Sequence, residues 1–379
     1  MAKIKKTGQK RGIIPGDSIF LILFMLILCI GLLSLFSASY AYGYAYQKSN
    51  YDSYYYIKKQ LVFVGIGAVG FIFTALINYK AYKNKLLVMV ANIITISLLL
   101  IVLATNGDDD GVKRWIYIGG LTIQPSEIAK FTMIYTFAYF FSAGEKKLNT
   151  IKGVLLPIFF ALVTLILILC EPHYSAMLII ALVIFVMALC SGIKKRYVIG
   201  TYIAGGGMGL LYLLLKKTYI SEKISIMLDP YSDPDKGRQI IQSLIAIGSG
   251  GLFGRGIAQS RQKYLWLPEP QNDFIFSIIC EEIGFLGAVG IIILFLVFVF
   301  RGIVIGCNAP DKFGFMLSLG LIFQIGLQVV INILVVLNLF PNTGVSLPFF
   351  SAGGSSVIVL MTSMGIIYNI STKQNEQNL

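Results

Sequence analysis

Charge is what this chain has least of. Asp, Glu, Lys and Arg make up 13% of its 379 residues, against about a quarter in an ordinary soluble domain. With 56% of residues hydrophobic and a mean hydropathy of +0.79, that scarcity excludes a soluble enzyme and a disordered tail. Histidine occurs once, at His173, and beyond Cys170 no His or Cys lies close enough in sequence to complete a ligand set with it, which argues against zinc. The five cysteines (Cys29, Cys170, Cys190, Cys280 and Cys307) fall mostly inside or beside apolar runs. They read as small packing residues and not as a disulfide scaffold. Acidic residues are the scarcer sign, 18 against 31 basic, for a net charge of +13. A nucleic-acid binder would gather such an excess on one solvated face. Here the cations sit in short clusters between long apolar runs, as in a polytopic membrane protein, so no nucleic-acid partner is expected.

Apolar length is what the chain does have. A membrane helix needs about 20 mostly apolar residues to cross a hydrocarbon core roughly 30 Å thick. Ten runs qualify, at 18–39, 59–78, 86–105, 125–143, 153–171, 174–192, 197–215, 274–300, 313–338 and 354–371. The expectation is an all-α membrane protein of ten transmembrane helices. It comprises a basic N-terminus (1–17), a single polytopic domain (18–371) with a long loop at 216–273, and a short tail (372–379). The first run is too long for the apolar core of a signal peptide and is kept as a span. Lys and Arg bias sets orientation. With the N-terminus put in the cytoplasm, and the C-terminus beside it as an even span count then requires, the inner segments hold Lys3 to Arg11, Lys80 to Lys85, Lys146 to Lys152, Lys194 to Arg196, Arg301 with Lys312, and Lys373. Lys113, Arg114 and the cations of 216–273 then lie on the translocated side, against the usual bias. Either an anionic ligand wants them there or they pair locally with Asp229, Asp233, Asp235 and Glu269.

Four clusters carry candidate chemistry. Lys113-Arg114-Trp115 precedes Gln124-Pro125-Ser126-Glu127 and Lys130. The basic pair suits a phosphate or an interfacial anchor. Pro125 and Glu127 suit the first turn of the fourth span, and Lys130, inside that span, needs a partner, for which Glu127 is nearest. Glu171-Pro172-His173-Tyr174-Ser175 forms the turn between spans five and six. The stretch Gly248–Glu282 opens with a glycine-rich segment that lacks a P-loop ending and reads as a close backbone approach. Residues 238–247 read as an amphipathic helix at the membrane surface, ended by those glycines. Asp273, at the mouth of span eight beside Phe274-Ile275-Phe276, serves either as a helix cap or as a base whose pKa desolvation raises. Glu281 and Glu282 lie deeper and must face protein. Last, Leu339–Ser356 is a Pro- and Gly-punctuated loop re-entering the membrane with small residues.

Taken together, Lys113-Arg114-Trp115 with Gln124–Glu127, Arg261-Gln262-Lys263 with Leu267-Pro268-Glu269, and Asn342-Thr343-Gly344 through Leu347-Pro348 to Gly353–Ser356 resemble the signature of the SEDS family (shape, elongation, division and sporulation). The Ser-Arg-Gln-Lys and Pro-Glu-Pro stretches look more like its FtsW branch than its RodA branch. The resemblance implies a peptidoglycan glycosyltransferase of the bacterial cytoplasmic membrane that polymerises lipid II into undecaprenyl-linked glycan strands on the outer face. Its partners would be a class B penicillin-binding protein and other division or elongation membrane proteins. The family's essential aspartate falls on Asp273 and its basic pair on Lys113 and Arg114. The expected site is therefore Asp273 as catalytic base. Lys113, Arg114, Trp115, Glu127, Lys130, Arg261, Lys263, Glu269 and Ser355 surround the diphosphate and sugar, and there are no protein metal ligands. No cofactor is demanded, although a divalent cation (Mg or Mn) would suit the diphosphate. One departure stands out. The family's Gln-Pro-Asp-Leu-Gly turn reads Glu171-Pro172-His173-Tyr174-Ser175 here, so the expected acid is replaced by His173 and Glu171 is the remaining carboxylate. A lipid-linked-sugar flippase routed past Lys130, Glu281 and Glu282, and a non-catalytic division scaffold, are the competing classes.

Overall fold

The computed structural model describes residues 16–45, 51–104, 114–118, 121–144, 151–171, 173–196, 198–200, 203 and 219–377. Nine of the ten expected spans are helices among them: α1 (Ser18–Ala45), α2 (Tyr55–Leu76), α3 (Lys85–Ala104), α4 (Pro125–Phe141), α5 (Ile151–Cys170), α6 (Tyr174–Cys190), α9 (Ile275–Cys307), α10 (Lys312–Val336) and α11 (Gly354–Gln377). Six of them, α1, α2, α3, α9, α10 and α11, are long and apolar enough to cross a membrane. Span seven (197–215) lies almost wholly outside the described residues, as do Lys113 and the basic N-terminus. Helix is the expected solution for such runs, because lipid offers the backbone no hydrogen-bond partner and only a helix satisfies every N–H and C=O within one segment.

Helix α4 is the hub. It packs against α3, α5, α6, α10 and α11, and its polar residues Ser126, Glu127, Lys130, Thr132 and Thr136 are all buried. Helices α1 and α2 lie at the margin and turn large apolar side chains outward, among them Leu33 and Val69. The α2–α11 contact is close because glycine sits at the crossing. A Cβ on Gly365 would lie 2.4 Å from the Phe71 carbonyl oxygen, a packing device suited to helices that gain no hydrophobic drive from leaving lipid.

One end of the bundle is tied by Asp17 to Arg301 (2.6 Å), Tyr79 to Asp311 (2.9 Å) and Lys312 to the Ser191 carbonyl (2.6 Å). The opposite end carries everything the sequence singled out. An antiparallel hairpin, β1 (Ile116–Ile118) with β2 (Leu121–Ile123), pairs Ile116 with Ile123 and so returns the chain beside Arg114 as α4 begins. The expected surface helix appears as α8 (Pro234–Gly250), preceded by α7 (Tyr219–Leu228). Asp233 caps α8, its carboxylate accepting from the Lys236 N–H, and Pro234 opens it. Its cations find local partners as well as solvent, since Lys236 pairs with Glu222 and Asp233.

Beyond α8 the glycine stretch lies against a break in α9. Gly284 takes φ +70° and interrupts that helix, and the exposed backbone is met by the loop. The Phe285 and Leu286 N–H groups donate to Gly251 and Leu252, and the Arg255 and Gly256 N–H groups donate to Glu281 and Glu282. A Cβ on Gly254 would stand 2.2 Å from the Glu282 carbonyl oxygen. Close backbone approach, and not nucleotide binding, is why glycine is there.

Candidate active site

Four segments converge at this end: the approach to β1, the α5–α6 turn, the stretch leading into α9, and the loop 337–353 after α10. Asp273 sits half-buried just before α9. It does not cap that helix, for the capping position is Phe274 and no side chain caps it. Its main chain is fixed from below by Asn332 of α10, whose Nδ2 donates to both the Asp273 carbonyl and the Val345 carbonyl at 2.7 Å. Ser175 at the start of α6 donates to the Thr343 carbonyl (2.8 Å), Asn342 donates to Gln239 of α8 (3.1 Å), and the Ala352 N–H donates to the Gln271 carbonyl (2.8 Å). The Asp273 backbone and the 342–352 loop are thus held as one unit.

Arg114 comes from the β1 side. Its Nε donates to the Glu171 carbonyl at 3.4 Å, and its other end reaches toward Asp273. Gly344 lies between the two with φ +71°. A Cβ there would be 3.4 Å from Asp273 Oδ2 and 3.9 Å from Arg114 Nη1, so a side chain at that position would occupy the space the carboxylate and guanidinium share. Loss of solvation and the neighbouring Glu269 push the Asp273 carboxyl up to about 6, while Arg114 pulls the other way. The result is a carboxylate that is mostly ionised at neutral pH yet more basic than usual, beside a cation and at the rim of the bundle.

The α5–α6 turn carries the departure from the family pattern. Glu171 is fully buried, and burial raises its carboxyl to about 8 despite Arg114. His173 is buried with Nδ1 2.9 Å from Ser126 Oγ. Burial, with Arg114 and Lys130 nearby, lowers its pKa well below the usual value and keeps it neutral. It is a structural joint between the turn and α4.

The remaining expected site residues divide. Trp115 stands at the site's edge beside Arg114, and Arg261 and Glu269 are exposed on the segment leading to Asp273. Ser355 is spent inside, accepting from the Gln124 N–H at 2.9 Å. Lys130 binds Glu127 at 2.7 Å, and Ser356 donates to the other Glu127 oxygen at 3.1 Å, so the pairing expected from spacing is present and sealed. Lys263 is drawn away from the site. It is 3% exposed and binds Glu282 (2.9 Å) and Ser37 of α1 (3.0 Å). Glu281 collects Ser260 (2.5 Å) and the Arg261 and Gln262 N–H groups. These carboxylates pin the loop to α9. Sequence reasoning missed Asn332, and it named Ser175 and Gly344 within their clusters without giving either a role. The available signal was a lone Asn in an apolar run, since a polar group at membrane depth has a partner or a task. Among the described residues no group of three His, Cys, Asp or Glu gathers as a metal site.

A family model described as "Cell cycle protein", covering FtsW, RodA and SpoVE, matches residues 17–376. Stage V sporulation protein E of Bacillus subtilis (strain 168) is 37% identical over 362 residues, 94% of this chain and 96% of that protein. A Geobacter sp. (strain M18) protein named probable peptidoglycan glycosyltransferase FtsW is 35% identical over 359 residues, 94% of this chain and 97% of that one. Among solved structures, one reported under "structural coordination of polymerization and crosslinking by a peptidoglycan synthase complex" aligns with a TM-score of 0.76 at 23% identity, covering 95% of this chain and 98% of that one. The rod shape determining protein RodA of Thermus thermophilus aligns at 0.69 and 23% identity, covering 95% and 97%. The structural likenesses establish a shared fold.

Proposed function

This chain belongs to the FtsW/RodA/SpoVE family, and from that membership we propose that it is a peptidoglycan glycosyltransferase that polymerises lipid II, with Asp273 as its general base. Relatives named peptidoglycan glycosyltransferase over nearly the whole chain support the activity. The observation that carries the site is the shared space of Asp273 and Arg114 at Gly344.

Asp273, with its carboxyl near 6, is ionised at neutral pH and basic enough to take a proton from the acceptor sugar's hydroxyl. That oxygen attacks the anomeric carbon of the lipid-diphosphate-linked donor, the glycosidic bond to phosphate breaks, and the diphosphate leaves with its added negative charge. Arg114, with Lys113 next to it in sequence, is placed to stabilise that charge as fixed cations do for departing phosphates. A single displacement inverts the anomeric centre and needs one carboxylate. A divalent cation, Mg or Mn, would act by screening the diphosphate.

The Asp273 end faces outward in this reading, and the cytoplasmic face is the end where Asp17 meets Arg301. The expected partner is a crosslinking enzyme of the class B penicillin-binding type, a reading supported by the fold shared with a chain of a peptidoglycan synthase complex that coordinates polymerization and crosslinking. The buried charges that a flippase path would use are all bound to partners: Lys130 to Glu127, Glu282 to Lys263, and Glu281 to the loop. The test is polymerisation of lipid II by purified protein, with and without that partner. Asp273→Asn is expected to yield no glycan polymer on a gel while keeping its thermal unfolding profile, and full activity in that variant would remove Asp273 from the chemistry.

A further inference from the structure

Among the described residues, one deeply buried carboxyl is left without a partner. Glu127 is engaged by Lys130 and Ser356, Glu281 by Ser260 and main-chain N–H groups, and Glu282 by Lys263 and Ser37. Glu171 is 0% exposed and neither of its oxygens has a hydrogen-bond partner. An ionised carboxylate in that position would forfeit its hydration with no donor in return. A protein carrying such a group either neutralises it or moves a cation onto it.

Among the described residues, the cation within reach is Arg114. Its Nε already donates to the Glu171 main-chain oxygen, and its Nη1 lies at the Gly344 space that Asp273 Oδ2 lines. One guanidinium therefore stands between two carboxyls, and the charge it gives to one it withdraws from the other. The other charged or titratable groups around Glu171 do not change this. His173, just before α6, is neutral and tied to Ser126. Lys130 and Glu127 on α4 neutralise each other, Glu269 adds negative charge on the Asp273 side, and the last turns of α5 (Leu165–Cys170) carry no charge.

We propose that Glu171 is a positioning residue acting through Arg114: it holds a proton at neutral pH, leaving the guanidinium's charge to Asp273 and to an anionic substrate group, and on losing that proton it draws Arg114 to itself and shuts the site. This carboxyl so takes a role of its own in the turn where His173 replaces the family's acid. The activity arm of the inference rests on the glycosyl transfer proposed above, whereas the protonation state can be read without any substrate.

The first measurement is infrared titration of the purified full chain in lipid nanodiscs. A protonated-carboxyl C=O band is expected that is lost as pH passes about 8, is absent in Glu171→Gln, and returns in shifted form in Glu171→Asp. Should Glu171→Gln fail to fold, Glu171→Asp carries the assignment. The second is the pH dependence of lipid II polymerisation. The wild type should lose activity above that pH, while Glu171→Gln, which keeps a neutral side chain of the same shape, stays within about twofold of wild type at pH 7 and loses the alkaline fall. A band that does not titrate, or one unchanged by substitution of Glu171, overturns the proposal. So does an alkaline fall that persists in Glu171→Gln. A wild type with the infrared band but no polymerase activity would instead defeat the assigned reaction and leave the proton on Glu171.

Discussion

At the scale of single residues, Asp273 and Arg114 are linked through charge. The folded carboxyl near 6 lies above the ordinary value of 3.8, so the basic form is present above that pH and lost below it. Turnover should rise through about pH 6 and then level until the alkaline fall assigned to Glu171. Among the described residues, Arg114 is the influence that lowers the Asp273 pKa. Removing it should therefore move the acidic limb to higher pH, in addition to lowering the rate by about 10²–10³, the range for losing one fixed donor at a developing charge. A pH–rate profile of Arg114→Ala checks both parts. An unmoved limb would place the guanidinium away from the carboxylate.

At the scale of elements, the segment after α8 is held against α9 by buried pairs. Lys263 reaches Glu282 and, through Ser37, α1. Lys263→Ala leaves Glu282, 6% exposed, with the Ser37 hydroxyl but without its cation, a change that costs roughly 3–5 kcal/mol. Thermal unfolding in detergent should show a marked loss for Lys263→Ala. Replacing both partners by apolar residues of similar volume should recover most of it, since a buried pair and its apolar substitute are often close in energy. If Lys263 instead contacts the diphosphate directly, Lys263→Ala would keep its unfolding midpoint and lose activity. The glycines of this segment were legible as a close approach, and the structure supplies the reason: Gly284 breaks α9, and its freed N–H and C=O groups need backbone, not side chains, beside them.

At the scale of the whole molecule, the alternation of helices sends the Asp17–Arg301 tie and the Asp273 site to opposite ends. In the orientation proposed above, with both termini cytoplasmic, Arg261, exposed on the segment leading to Asp273, faces outward. A membrane-impermeant maleimide should then label Arg261→Cys in intact cells without permeabilisation. Labelling only after permeabilisation would turn the topology over. The native cysteines serve as the background control, measured in the parent chain.

Apolar length and charge spacing were enough to determine nine of the helices, the amphipathic helix α8 and the Glu127–Lys130 pair. Each follows from forces acting along a stretch of chain: twenty apolar residues must coil, and charges three apart on a helix meet. Which of the expected site residues come to lie beside Asp273 was decided only by packing. Lys263 and Ser355 looked equivalent to Arg114 as site residues, yet they are consumed by α9 and by the approach to α4, and Asn332, far off in sequence, fixes the Asp273 backbone. Such pairings depend on which distant groups share a low-dielectric interior. There a single partner changes a charge from costly to neutral, and no local pattern in the chain encodes that partner.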